Sequence, residues 1–219
     1  ELEAELERKK KDDLLDMTRS VLPEGVRCIY IRQAEPLGLG HAVLCAQPVV
    51  GNEPFAVILA DDLMDSEPPA IAYMARVFER EGASLLGVEE VPRDQTASYG
   101  IVTLEAPMQG DRARIRGIVE KPKPAVAPSN LAVIGRYVLT PKIFELLGQV
   151  TPGAGGEIQL TDAIKALMQE QPVFGYRFEG ERHDAGTRIG WLKANVAVGL
   201  ESEDADEFRA YIRQLDLRD

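Results

Sequence analysis

Cysteine, histidine and basic residues are all scarce in this sequence. The 219 residues contain two cysteines, Cys28 and Cys45. They form no CxxC-type metal pair, and two thiols in a chain this long make no disulfide framework. Both read as buried small residues in a reducing cytoplasm. The two histidines, His41 and His183, lie far apart in sequence. They cannot furnish a zinc ligand set by spacing, so each reads as a packing or supporting residue. Lys and Arg number 25 against 36 Asp and Glu, a net charge of -11. That balance argues against nucleic acid or an anionic membrane as partner, since both need a basic surface. It leaves room for a phosphate ligand, because a few cations and a metal ion can make a local positive pocket. No apolar run approaches a membrane span and no signal-peptide pattern is present. The sequence also lacks a GxSxG elbow, and neither Cys has a local nucleophile signature, so nucleophilic catalysis by the protein has little support.

Hydrophobic residues make up 45% and charged residues 28%, which suits a globular protein with a real core. Residues 1–20 are rich in charge and contain no Gly or Pro, so they predict a helix. A strand-and-helix alternation follows. CIYIRQ (28–33) predicts a strand, and LGHAVLCAQPVV (39–50) a helix after a glycine loop. FAVILADD (55–62) predicts a strand buried on both faces, and PPAIAYMARVFEREG (68–82) a helix with a Pro start and a Gly stop. SLLGVEEV (84–91) closes a βαβαβ order, which argues an α/β domain with a largely parallel sheet. Residues 99–105, 114–121 and 131–140 read as strands of a mixed insertion. Helices are expected over 141–150 and 157–169, a strand over 173–180, and two helices in the C-terminal part, 187–219.

In open α/β sheets, ligands bind beyond the carboxyl ends of strands. Asp61 ends one strand, and Asp184 follows another much later. Together they could share a hard cation such as Mg²⁺, although strand-end caps explain each singly. Glu120 and Lys121 stand side by side in 118-IVEKPKPAVAPSN-130, where three prolines stop regular structure. The pair is either a solvated ion pair or a site for a polyol and its phosphate. Gly38-Leu39-Gly40-His41 allows close backbone approach before a helix. Gln33 could contact a base edge or simply be surface.

The stretches RQAEPLGLGHAVLCAQPVVGNEPFAVILADD (32–62), SYGIV (98–102), VEKPKPAVAPSNLAVIGRYVLTP (119–141), GAGGEIQLTDAI (153–164) and HDAG (183–186) run in order along nearly the whole chain. Through them the sequence resembles the bacterial UTP–glucose-1-phosphate uridylyltransferases. The resemblance implies a single Rossmann-like nucleotidyltransferase domain over 1–219, with a mixed, largely parallel sheet flanked by helices and its sugar-binding part in 99–141. It implies direct transfer of a uridylyl group from UTP to glucose 1-phosphate, giving UDP-glucose and pyrophosphate. Asp61 and Asp184 match the Mg²⁺ ligands of the family, and Lys121 the lysine on the sugar phosphate. Glu120, Gly100 and Val133 match sugar contacts, and Gln33 and Gly40 the uracil contacts. A cytoplasmic homodimer or homotetramer is implied as well. Members of the family open with a glycine-rich loop carrying an Arg and a Lys, which has no counterpart in this sequence. A chain without it is expected to show little catalysis. The other expectations weighed are a dTDP-glucose type of transferase and a non-catalytic sugar-nucleotide-binding fragment.

Overall fold

A computed structural model describes residues 2–215. Its contacts group the chain into two compact units, Glu1–Arg32 and Gln33–Asp219. The first contains helices α1 (Leu2–Arg8) and α2 (Asp12–Ser20), so the helix expected over 1–20 is broken. Lys10 sits at the break with φ of 51°, a conformation no helix continues through. Arg19 of α2 then reaches back to Glu3 at 3.0 Å and Glu7 at 2.5 Å.

The strand expected at 28–33 does not form. Ile29, Tyr30 and Ile31 are exposed and join no ladder among the described residues. β-favouring side chains do not make a strand without a partner for the backbone N–H and C=O groups. Cys28, on that segment, is therefore exposed rather than buried; Cys45, which ends the helix over 39–45, is half-buried.

The second unit runs α3 (Leu39–Cys45), α4 (Gln47–Val50), β1 (Phe55–Ile58), β2 (Asp62–Asp65), α5 (Ala70–Glu81), β3 (Ser84–Glu90), β4 (Gly100–Leu104), β5 (Arg112–Glu120), β6 (Leu131–Leu139), α6 (Lys142–Leu147), α7 (Leu160–Glu170), β7 (Val173–Tyr176), β8 (Glu181–Asp184), α8 (Arg188–Glu201) and α9 (Ala205–Gln214). The last four residues of the expected helical region, 216–219, lie outside the described residues.

Six strands form one sheet in the order β1-β6-β3-β7-β5-β4. The α/β class and the mixed sheet are as expected. β1, β3, β7 and β4 run the same way, but β6 and β5 are interposed against them. Only β3 and β7 are therefore parallel neighbours among the described residues. The stretch 55–62, expected as a doubly buried strand, splits in two. β1 lies at the sheet edge with β6 as its one neighbour, and Ile58 is 54% exposed.

The centre of the sheet is covered on both faces. Leu86, Val88, Val133, Tyr137 and Leu139 pack with Ile143, Phe144, Ile164 and Leu167 of α6 and α7. Leu85, Ile134 and Val138 point the other way, to Met74 and Val77 of α5. The alternation of faces along β6 follows from the two-residue period of a strand. α5 stops at Gly82, whose φ of 61° gives the left-handed cap. A second, two-stranded ladder pairs β2 with β8. The sequence did not suggest it, because 181–184 is only four residues long and carries four charged or polar side chains.

Candidate active site

The small ladder does the positioning. Asp62 stands opposite Asp184 in the β2–β8 register, and the Ala185 N–H donates to the Asp61 carbonyl at 2.7 Å. Two segments remote in sequence are thereby laid side by side, with Asp61 and Asp184 at their junction. Both carboxylates face one point: a Cβ placed on Gly186 would lie 2.8 Å from Asp61 Oδ2 and 3.1 Å from Asp184 Oδ1. The glycine keeps that point open.

The three aspartates at this junction differ in what they spend. Asp62 is buried, with Oδ2 accepting from Gly135 N–H at 2.5 Å and Oδ1 from Arg182 Nη1 at 2.5 Å. Its charge is consumed. Asp61 is exposed and accepts no side-chain hydrogen bond among the described residues. Asp184 Oδ2 accepts from the Tyr99 hydroxyl at 2.7 Å and Oδ1 from Gly186 N–H at 3.1 Å. Burial, and then the bond to Asp184, push the Tyr99 phenol up from its ordinary range, so it stays a donor. Burial opposes the charge on Arg182, but contacts to Tyr99, Asp62 and Glu89 outweigh it and hold the guanidinium above its usual range. Arg182 had no motif to announce it. Tyr99 lay inside SYGIV but was not singled out there.

The donor set of Asp61 and Asp184 fits a hard divalent cation such as Mg²⁺. Among the described residues no group of three potential ligands gathers. Two carboxylates with open space beside them are what Mg²⁺ takes when waters and phosphates complete its shell.

The other functional pair sits at the end of β5. Gly100 opposes Glu120 in register, and Lys121 N–H donates to the Tyr99 carbonyl at 3.0 Å. Thr161 at the start of α7 donates its hydroxyl to Glu120 Oε2 at 2.5 Å. A Cβ on Gly100 would lie 3.4 Å from both Glu120 Oε2 and Thr161 Oγ1, so the glycine leaves the carboxylate accessible. Lys121 has φ of 43°, a left-handed conformation that costs a non-glycine residue about 1 kcal/mol or more and gathers at functional sites. Its Nζ lies 3.5 Å from Glu120 Oε1, and its side chain is 55% exposed. The lysine is thus available to a ligand.

Asp61, Asp184, Gly100, Glu120, Lys121 and Val133 all line one cleft of about 500 Å³. Val133 reaches it from β6. Gly40, expected beside the base, does not. It is buried under α7's leading turn: its N–H donates to the Ile158 carbonyl at 2.9 Å, and a Cβ there would lie 2.6 Å from the same oxygen. Its role is close packing. Gly38 lines the cleft instead, with φ of 90°. Gln33 is tied to Gly38 rather than lining the cleft: its Nε2 donates to the Gly38 carbonyl at 3.1 Å and lies 2.9 Å from His41 Nδ1. A carbonyl can only accept, which fixes the nitrogen there. His41 Nδ1 is then the acceptor of that contact. The amide oxygen of Gln33 is left for a ligand.

An α/β sheet with paired carboxylates and a strained lysine around one cleft is an arrangement for handling phosphate esters. The chain belongs to the nucleotidyl transferase family, whose profile matches residues 2–199. It is 46% identical over 218 residues to a UTP–glucose-1-phosphate uridylyltransferase of Staphylococcus epidermidis, covering 99% of this chain and 75% of that one. A Staphylococcus haemolyticus enzyme of the same name is 46% identical over 217 residues, covering 98% and 74%. Among solved structures, the UTP-bound form of the enzyme from Acinetobacter baumannii superposes with a TM-score of 0.85 at 43% identity, over 98% of this chain and 75% of that chain. A UDP-glucose pyrophosphorylase complexed with UDP-glucose gives 0.81 at 39%, over 88% and 73%.

Proposed function

We propose that this protein transfers a uridylyl group from UTP to glucose 1-phosphate. A phosphate oxygen of glucose 1-phosphate attacks the α-phosphorus of UTP. A new P–O bond forms as the bond to the leaving group breaks, and the electron pair departs with pyrophosphate. No protein atom enters the covalent path, in keeping with the absence of an activated nucleophile; the work is positioning and charge neutralisation. The observation that carries the reading is that Glu120–Lys121 and Asp61–Asp184 share one cleft in a chain 46% identical to such transferases.

Each residue then has a task. Glu120, oriented by Thr161, accepts hydrogen bonds from glucose hydroxyls, and Gly100 and Val133 border the sugar. Strands from 99–141 thus supply the sugar side. Lys121 sets a point charge against the sugar phosphate, which offsets its repulsion from the triphosphate. Asp61 and Asp184 would hold Mg²⁺, which when bound supplies positive charge to the phosphates. Gln33, with its nitrogen committed to Gly38 and His41, offers an acceptor. Uracil and thymine present an imide N–H to such an acceptor, whereas cytosine presents a lone pair at the same ring position. Uracil over thymine rests on the relatives at 43–46% identity. The expected place of action is the cytoplasm, where nucleoside triphosphates are made.

The test is pyrophosphate release from purified protein with glucose 1-phosphate, Mg²⁺ and each of UTP, dTTP and CTP. Release should be fastest with UTP and slowest with CTP. No release with UTP together with no binding of UDP-glucose would sink the transferase reading, and equal rates with UTP and CTP would sink the role of Gln33.

A further inference from the structure

We infer that Tyr99 and Arg182 are positioning residues that fix the Asp184 carboxylate for a divalent cation while leaving a lone pair open on each of its oxygens. The inference rests on the reading of Asp61 and Asp184 as the cation's ligands.

Arg182 is held at three points. Its side chain is 6% exposed, Nε donates to Glu89 at 2.6 Å, Nη1 to Asp62 at 2.5 Å and Nη2 to the Tyr99 oxygen at 3.3 Å. The guanidinium also lies 5.4 Å from the centre of the Tyr99 ring. A guanidinium has no lone pair to offer, so it can only donate. The acceptor side of the Tyr99 oxygen is therefore engaged, and its single hydrogen goes to Asp184 Oδ2. With Gly186 N–H on Oδ1, each oxygen of Asp184 has one donor, and rotation of the carboxylate is stopped. Each oxygen also keeps a second lone pair.

The distances argue that this is more than an ion pair for stability. Arg182 Nη1 stands 3.9 Å from Asp184 Oδ2, within ion-pair range but beyond a hydrogen bond. Its short bonds go to Asp62 and Glu89. Had the guanidinium bonded Asp184 directly, it would have occupied the lone pairs a cation needs. A phenol interposed between them transmits the orientation and leaves those lone pairs open. The same arginine does occupy Asp62, next to Asp61. Of three clustered aspartates, the network thus leaves two with lone pairs open to a cation, and these are the two that face the open point at Gly186. Partners one step behind a metal ligand commonly change metal affinity by 10–100-fold.

The experiment is a Mn²⁺ titration followed by electron paramagnetic resonance, with UDP-glucose present, on the wild type and on Tyr99→Phe, Arg182→Lys, Asp61→Asn and Asp184→Asn. Tyr99→Phe keeps the ring and removes only the hydroxyl. It should raise the Mn²⁺ dissociation constant about tenfold while the number of sites at saturation stays unchanged, as does the thermal midpoint without metal. Arg182→Lys, which cannot span Asp62, Glu89 and Tyr99 together, should shift affinity in the same direction. Loss of the site in both aspartate variants with Tyr99→Phe within twofold of wild type would overturn the inference and leave the metal site standing. Unchanged binding in the aspartate variants would place the metal elsewhere, and both would fall.

Discussion

Lys121 shows how much one residue can be asked to do. It terminates β5, takes a left-handed backbone conformation and still presents its ammonium to the cleft. The strain is tolerated because the Lys121 N–H is held by the Tyr99 carbonyl and Pro122 follows directly. Replacing the side chain leaves these backbone restraints in place. Lys121→Ala should therefore fold normally, by circular dichroism and thermal midpoint, yet lose about 10²-fold or more in kcat. A rate within a few-fold of wild type would remove Lys121 from the reaction. At this scale the sequence was informative where chemistry sat in a distinctive string. Asp61, Glu120 and Lys121 could be picked out because an acid or a cation ended an apolar run, and Asp184 because it stood in the HDAG turn. Arg182 could not, since an arginine between two acidic or polar neighbours looks like any solvated strand. Gly40 entered only through the family resemblance, and nothing in the string Gly38-Leu39-Gly40 announces that its N–H is taken by the Ile158 carbonyl.

Among the elements, the long apolar ones were legible and the short polar ones were not. α5, α7, β3 and β6 carry enough periodic or continuous apolar residues to declare themselves, and they form where expected. β8 has none, and its pairing with β2 is dictated by what lies across from it. The 28–33 segment shows the converse, β-favouring residues with no partner. α8 raises a different question, because Ile189, Trp191, Leu192 and Val196 leave an apolar surface exposed on it. Such a surface on one helix is a natural contact for a second copy of the chain. It makes the homodimer or homotetramer expected from the family resemblance a testable prediction. Light scattering after size exclusion should give a mass above one chain, and a double change of Trp191→Glu and Leu192→Glu should return it to about one chain. A wild-type protein that runs as a monomer at tens of micromolar would dismiss the assembly.

The whole molecule also carries a signature at high pH. Tyr99, Tyr137 and Tyr176 all have folded-state values raised above the phenol's ordinary 10.0, chiefly by burial, with Tyr176 pushed up to about 12. Unfolding lets them ionise at their ordinary value. The stability they contribute is thus complete below pH 10 and drains away as pH climbs from there toward the folded values. The urea midpoint should be level between about pH 8 and 9.5 and fall steadily above 10, with a shallower fall in Tyr137→Phe. A level midpoint to pH 11 would contradict the burial of these rings. The β2–β8 ladder has a consequence of another kind, one of timing. A ribosome releases Asp61 well before Asp184. By then β3 can pair with β6 and β4 with β5, but the two carboxylates cannot yet meet. A growing chain therefore forms part of its scaffold before the proposed cation pair can assemble, so copies made only that far have no matched pair with which to capture metal.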